Sequence, residues 1–239
     1  MRFRWQAIAA DYDGTLADNG RVAKDTLETL QRVRESGRKI VLITGRELES
    51  LQSVFTKPDL FDLIVAENGA LLYHPSTGQE KPLGKIPPVA FVEMLRQSGA
   101  NPLSVGRGIV ATVRPYEAAV YHAIHALGLD LQVIFNRESV MTLPAGVDKG
   151  TGFRAALAEL GLASASIVGF GDGENDFAFL SLCGFSVAVA NAIPSLKECV
   201  HRVTSGEDGA GVVEVLQELL TAEDSLTWPT PGLTDRFPR

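Results

Sequence analysis

Four short apolar runs punctuate the chain: Ala7-Ile8-Ala9-Ala10, Ile40-Val41-Leu42-Ile43, Leu63-Ile64-Val65-Ala66 and Ile167-Val168-Gly169-Phe170. Each is nearly continuous rather than alternating, which is the pattern of strands buried on both faces of a parallel sheet. Helical periodicity lies between and after them. Leu27, Leu30 and Val33 recur at helical spacing before a stop at Gly37. Phe153, Ala156, Leu157 and Leu160 form a second stripe, closed by Gly161, and Val212, Val215, Leu216 and Leu219 form a third. Strands alternating with helices predict a doubly wound, mostly parallel α/β core.

The middle of the chain follows a different rhythm. Phe91, Met94 and Leu95 predict a helix, Ile109 to Val113 a strand, and Val120, Ala123, Ile124 and Leu127 a second helix. Leu131, Val133 and Phe135 alternate with polar positions, and Val140 to Leu143 is expected to pair with them across a turn at Asn136-Arg137. Helix-strand-helix-strand-strand suits a small α+β module. Pro82, Pro87 and Pro88 stand at its entrance, and Pro144 and Gly146 at its exit. The expected organisation is a core made of residues 1–80 and 148–221, an inserted α+β module over 81–147, and a tail or linker over 222–239. The Pro-rich end leaves open whether a longer, fused protein continues beyond it.

Composition narrows the function. With 239 residues, 45% hydrophobic and 21% charged, the chain reads as an ordinary globular protein. No apolar run is long enough to span a bilayer, and Asp11 and Asp13 interrupt the only stretch placed like a signal peptide, so a cytoplasmic location without membrane association is expected. The net charge of −7 and the lack of a Lys/Arg cluster argue against nucleic-acid binding. Cys183 and Cys199 show no ligand spacing and read as reduced core thiols. Oligomeric state leaves no mark in the pattern.

The chemistry gathers where the apolar runs end. The first run ends in Asp11-Tyr12-Asp13-Gly14-Thr15, the second in Thr44-Gly45-Arg46, the third in Glu67-Asn68-Gly69 and the fourth in Gly171-Asp172-Gly173-Glu174-Asn175-Asp176. Open parallel sheets bind ligands beyond the carboxyl ends of their strands, so the four clusters are expected to converge there. Convergence would crowd Asp11, Asp13, Asp172 and Asp176, and carboxylates this close need positive charge. A hard divalent cation supplies it, Mg²⁺ being the usual one when phosphate completes the shell, and Lys149 is placed to add another charge. A calcium loop at Asp11 and a dinucleotide loop at Gly169 both fail on the placement of their glycines.

Asp11-Tyr12-Asp13-Gly14-Thr15-Leu16 and Gly171-Asp172-Gly173-Glu174-Asn175-Asp176 resemble the first and fourth motifs of the haloacid dehalogenase superfamily of phosphatases, in its Cof-type branch. Thr44-Gly45-Arg46 and Lys149-Gly150 resemble its second and third motifs, and Glu67-Asn68-Gly69-Ala70 and Asn191-Ala192 resemble further segments of the branch. The likeness runs from about Ala7 to about Leu220. It implies a Rossmann-like catalytic core under an inserted cap, and hydrolysis of a small-molecule phosphate monoester through an aspartyl-phosphate. Asp11 would be the nucleophile, and Asp13 would protonate the leaving alcohol and then activate water. Thr44, Gly45, Lys149 and Asn175 would hold the phosphate. Asp11, the backbone carbonyl of Asp13, Asp172 and Asp176 through water would hold Mg²⁺. Arg107, Arg114 and Arg137, in the inserted module, are candidates for meeting a second anionic group on the substrate. A sugar phosphomutase of the same superfamily is the alternative activity, and a non-catalytic phosphate- or metal-sensing module is the alternative to an enzyme.

Overall fold

The carboxyl ends of three central strands lie level with one another, and that alignment builds the site. The computed structural model describes residues 4–221, so the expected tail over 222–239 lies outside the described residues. In chain order the elements are β1 (Ala7–Asp11), β2 (Ala17–Asp18), β3 (Arg21–Val22), α1 (Lys24–Glu35), β4 (Lys39–Ile43), α2 (Leu48–Val54), β5 (Leu63–Ala66), β6 (Leu71–His74), β7 (Gln79–Pro82), α3 (Val89–Gln97), β8 (Ser104–Val105), β9 (Val110–Val113), α4 (Glu117–Leu127), β10 (Leu131–Asn136), β11 (Ser139–Pro144), α5 (Lys149–Leu160), β12 (Ile167–Gly171), α6 (Phe177–Leu180), β13 (Phe185–Ala188), α7 (Pro194–Cys199), β14 (Arg202–Val203) and α8 (Asp208–Thr221).

The main sheet runs β14-β13-β12-β1-β4-β5-β6-β7. From β14 to β5 neighbouring strands are parallel, and β6 and β7 close one edge as antiparallel strands. The four apolar runs are β1, β4, β5 and β12, each buried except at Lys39, the first residue of β4. Strand order grows one way through β4 and β5 and the other way through β12 and β13. This puts the topological switch point at β1, where a cleft opens at the strand ends. Register sets the edge: Asp11 pairs with Ile43, just before Thr44, and Ala10 with Phe170, so Asp11, Thr44 and Asp172 emerge side by side.

A second, antiparallel sheet, β10-β11-β9-β8, carries α3 and α4 on one face over Phe91, Leu95, Val110, Val120 and Val140. Strand alternation turns Met141 and Leu143 to the opposite face, where they pack with Ala70 of the main body. The β10–β11 hairpin turns at Arg137-Glu138, one residue later than expected, because Asn136 still pairs with Ser139 in the ladder, and its tip reaches over the strand ends of the main sheet. The last strand before this module, β7, ends at Pro82, so Lys81 and Pro82 pair within the main sheet.

Two local devices aim α5 at the site. Asp148 caps the helix in a reciprocal box with Thr151 (2.7 and 2.9 Å), fixing Lys149 as its first residue. Behind it, Gly69 has φ +108°, and a Cβ there would lie 1.9 Å from the Asp148 carbonyl oxygen, so only glycine fits. Among the described residues, no helix is long and apolar enough to cross a membrane.

Candidate active site

Lys149 is 1% exposed, and its Nζ donates to Asp11 Oδ1 and to Asp176 Oδ1, each at 2.6 Å. The second oxygen of Asp176 accepts from the backbone N–H groups of Asp172 (2.8 Å) and Gly173 (2.9 Å), which folds the 172–176 turn around it. Asp172 accepts from the Thr15 hydroxyl (3.0 Å) on one oxygen and from Arg137 Nη2 (2.6 Å) on the other. One carboxylate oxygen each from Asp11, Asp172 and Asp176 lies within 4.8 Å of the other two, and all three residues are buried.

Electrostatics follow from that crowding. Burial is the largest influence on Asp11 and raises its carboxyl well above the usual carboxylate range. Asp176 and Asp172 push the same way, and Lys149 opposes them. Burial and Asp176 likewise raise Asp172, against Thr15, Arg137 and Lys149. On Lys149, burial alone would lower the ammonium, but Asp11 and Asp176 outweigh it and hold the lysine above its ordinary value. The centre therefore holds three buried carboxylates against one buried ammonium, with Arg137 at the rim. An oxygen-only donor set short of positive charge fits a hard divalent cation.

Asp13 stands apart from this cluster. Both its carboxylate oxygens accept from Arg46, at 2.6 and 2.7 Å, and the guanidinium also lies 5.6 Å over the Tyr12 ring. Crowding of all four aspartates, the expectation from strand ends alone, thus holds for three, because β1 ends at Asp11 and the chain turns before Asp13. Asp13 and Arg46 nevertheless line the same cleft of about 320 Å³ as Asp11, Gly45, Lys149 and Asn175, and Asn136 and Met141 cover it from the second sheet. Thr44 is buried beneath the cleft, its Oγ1 accepting the Arg46 N–H (3.1 Å). Asn175 donates to Asn68 Oδ1 (2.9 Å). A larger cavity, about 510 Å³, lies by α1 and Lys57, away from all these groups.

The three arginines part company. Arg137 reaches the strand ends through Asp172, and its backbone N–H donates to Glu174 (3.3 Å). Arg107 binds Glu49 and Glu80, and Arg114 pairs with Glu117 (3.6 Å) and lies 4.8 Å over the Phe135 ring. None of the three lines the cleft, but Arg137 lines an adjoining cavity of about 320 Å³ with Asp13 and Asp172. Acidic neighbours nearer than the cleft account for the placements of Arg107 and Arg114. Thr15, Arg46, Asn68 and Asn136 join the site without having been singled out. The first three sit inside the strand-end motifs, which was the available signal; nothing local in the sequence marks Asn136.

The family model for haloacid dehalogenase-like hydrolases matches residues 8–104 and 133–216. The chain belongs to that family. It is 34% identical over 225 residues to phosphoglycolate phosphatase 2 of Saccharolobus solfataricus, covering 90% of this chain and 92% of the relative. It is 28% identical over 223 residues to a phosphoglycolate phosphatase of Methanothermobacter thermautotrophicus, covering 90% and 99%. A solved subclass IIB sugar phosphatase of the superfamily shares the fold over 90% of this chain and 98% of its own, with TM-score 0.74 and 18% identity. The protein is accordingly a Cof-type member of the superfamily and a phosphoric monoester hydrolase. The sensing-module alternative falls away.

Proposed function

We propose that this enzyme hydrolyses a small, carboxylate-bearing phosphate monoester of the phosphoglycolate class, through an aspartyl-phosphate on Asp11 and with Mg²⁺ bound. The observation that carries the reading is the Asp11 carboxylate, held on one oxygen by buried Lys149 beside Asp172 and Asp176 in a cleft of about 320 Å³. Asp11, Asp172 and the backbone carbonyl of Asp13 would hold the cation. Asp176, held by the buried Lys149 ammonium on one oxygen and by two backbone N–H groups on the other, would act through water. The cation supplies the positive charge that lets an anionic ester approach and stabilises charge on the transferring group.

The chain's own residues supply the rest. Lys149 keeps one Asp11 oxygen fixed and leaves the other to attack phosphorus. The ester P–O bond breaks, and the leaving oxygen takes a proton from Asp13, which must enter this step protonated and turned away from its Arg46 pair. Asp13 then removes a proton from water, whose oxygen attacks phosphorus, breaks the P–O bond to Asp11 and releases inorganic phosphate. Splitting hydrolysis into two displacements lowers each barrier, and positioning with charge neutralisation does most of the work. Outside that exchange Arg46 pairs with Asp13 at the cleft mouth; Thr44, the Gly45 backbone, Lys149 and Asn175 form the phosphate seat. The β8–β11 sheet with α3 and α4 serves as the cap, and Arg137 at its hairpin tip would leave Asp172 to the cation and meet a substrate carboxylate. Both curated relatives are named for phosphoglycolate, which supports that class.

The test is a panel of esters assayed with Mg²⁺, covering phosphoglycolate, sugar phosphates and p-nitrophenyl phosphate. Phosphoglycolate should give the highest kcat/KM. Chelation should abolish turnover and Mg²⁺ restore it, while Ca²⁺, with its larger and looser shell, should support little. Full activity after exhaustive chelation refutes the metal assignment, and preference for a neutral sugar ester refutes the substrate class.

A further inference from the structure

Glu67 and Asn68 follow one another with φ of 54° and 52°, and both are wholly buried. Left-handed backbone is tolerated by asparagine and unfavourable for glutamate, so such a pair survives only where its surroundings over-determine it. Here they do. The Glu67 N–H donates to the Arg46 carbonyl and the Asn68 N–H to the Thr44 carbonyl, both at 2.9 Å, so the turn is tied to the residues flanking Gly45. The Glu67 carboxylate accepts the backbone N–H groups of Arg107 (2.9 Å) and Gly108 (2.7 Å), and a Cβ at Gly106 would lie 2.6 Å from it. The turn is clamped between the phosphate seat and a loop of the cap.

What the clamped turn presents is the Asn68 amide. Its Oδ1 accepts from Asn175 Nδ2 at 2.9 Å, and among the described residues no other hydrogen bond holds the Asn175 side chain. Asn175 lines the cleft beside Lys149 and Gly45, and Asn68 does not. Asn175 Oδ1 and Asn68 Nδ2 are buried without partners. Among the described residues, the Asn175–Asn68 bond is thus the hydrogen bond that orients both side-chain amides.

We propose that Asn68 is a positioning residue that fixes the Asn175 amide in the phosphate seat. By holding one Nδ2 hydrogen it aims the other into the cleft at a phosphoryl oxygen. Glu67 keeps the strained turn in the one conformation that does so. The inference rests on the proposed membership of Asn175 in that seat.

The test compares Asn68→Gly, Asn175→Ala and the double variant with wild type. Glycine adopts positive φ freely, so Asn68→Gly removes the amide while sparing the backbone, and thermal unfolding checks this. The readouts are the inhibition constant of inorganic phosphate against p-nitrophenyl phosphate hydrolysis, together with kcat and KM. Asn175→Ala should weaken phosphate inhibition by about 10–100-fold, the value of a hydrogen bond to a charged group. Asn68→Gly should cost less, roughly 3–10-fold, and the double variant should match Asn175→Ala within about 2-fold, because the two act as one unit. Losses that multiply in the double variant overturn the inference. If Asn175→Ala weakens phosphate inhibition and Asn68→Gly does not, this inference alone fails. If Asn175→Ala has no effect, the seat assignment fails and the inference falls with it.

Discussion

Replacing Lys149 with Met tests the electrostatic account at its centre. The side chain is 1% exposed and makes two ion pairs of 2.6 Å, to Asp11 and Asp176, whose own side chains are 8% and 0% exposed. Solvent screens neither pair. Met fills most of the volume but leaves both carboxylates without their buried cation. Removing one partner of a buried pair costs about 3–5 kcal/mol. At ~2–4 °C per kcal/mol for a chain of this size, the metal-free variant should unfold about 6–20 °C below wild type. The sign of its pH dependence follows from Asp11, whose carboxyl burial already raises in the presence of Lys149. A group with a raised folded pKa contributes stability below its unfolded value and loses it as pH rises through the folded one. Without the lysine that rise is larger, so the deficit should widen from acid pH towards neutrality. Thermal unfolding in chelator at a series of pH values measures it. A variant that melts with wild type, or a deficit that shrinks as pH rises, refutes the account.

Asp11→Asn should abolish turnover with the fold retained, since the amide is nearly isosteric but a poor nucleophile; more than trace hydrolysis excludes Asp11 as nucleophile. Asp13→Asn should slow turnover roughly 10²–10⁴-fold while Mg²⁺ still binds by calorimetry, and lost metal binding with an unchanged rate at saturating Mg²⁺ contradicts the acid/base role. Arg137→Ala should lower kcat/KM for phosphoglycolate by about 5-fold, a modest factor because that side chain is 56% exposed, and should spare p-nitrophenyl phosphate. Arg107→Ala and Arg114→Ala should spare both substrates, and a selective loss in either relocates the substrate anion. Gly152→Ala should reduce stability measurably in denaturant titration, because its Cβ would meet Val65 and Gly69 atoms at 2.6–2.9 Å; an unchanged midpoint shows that α5 can shift without cost.

The local pattern of the chain settles the elements that carry the chemistry. Continuous apolar runs place β1, β4, β5 and β12, because a strand buried on both faces has no polar side to show. Gly161 ends α5 in left-handed backbone, the conformation that glycine there predicts. Short or polar strands left no such mark: β7 is exposed throughout and β14 spans two residues. They form because neighbouring strands offer unpaired backbone groups, which is information carried by the sheet and not by the segment.

For the site, the chain by itself determined which residue types end each central strand, and a parallel sheet obliges those ends to share one edge. Which carboxylates cluster was decided only by tertiary structure. Register brings Asp11 level with the start of the 172–176 turn, whereas Asp13 lies two residues further along and is held by Arg46. Sequence could nominate Arg107, Arg114 and Arg137 alike, since each is a basic residue in the same inserted module. The fold separates them by what lies nearest: Glu49 and Glu80 for the first, Glu117 and Phe135 for the second, Asp172 for the third. A long cationic side chain goes to the nearest partner that offsets its charge, and those partners come from segments distant in sequence as well as near, so only the folded chain specifies them.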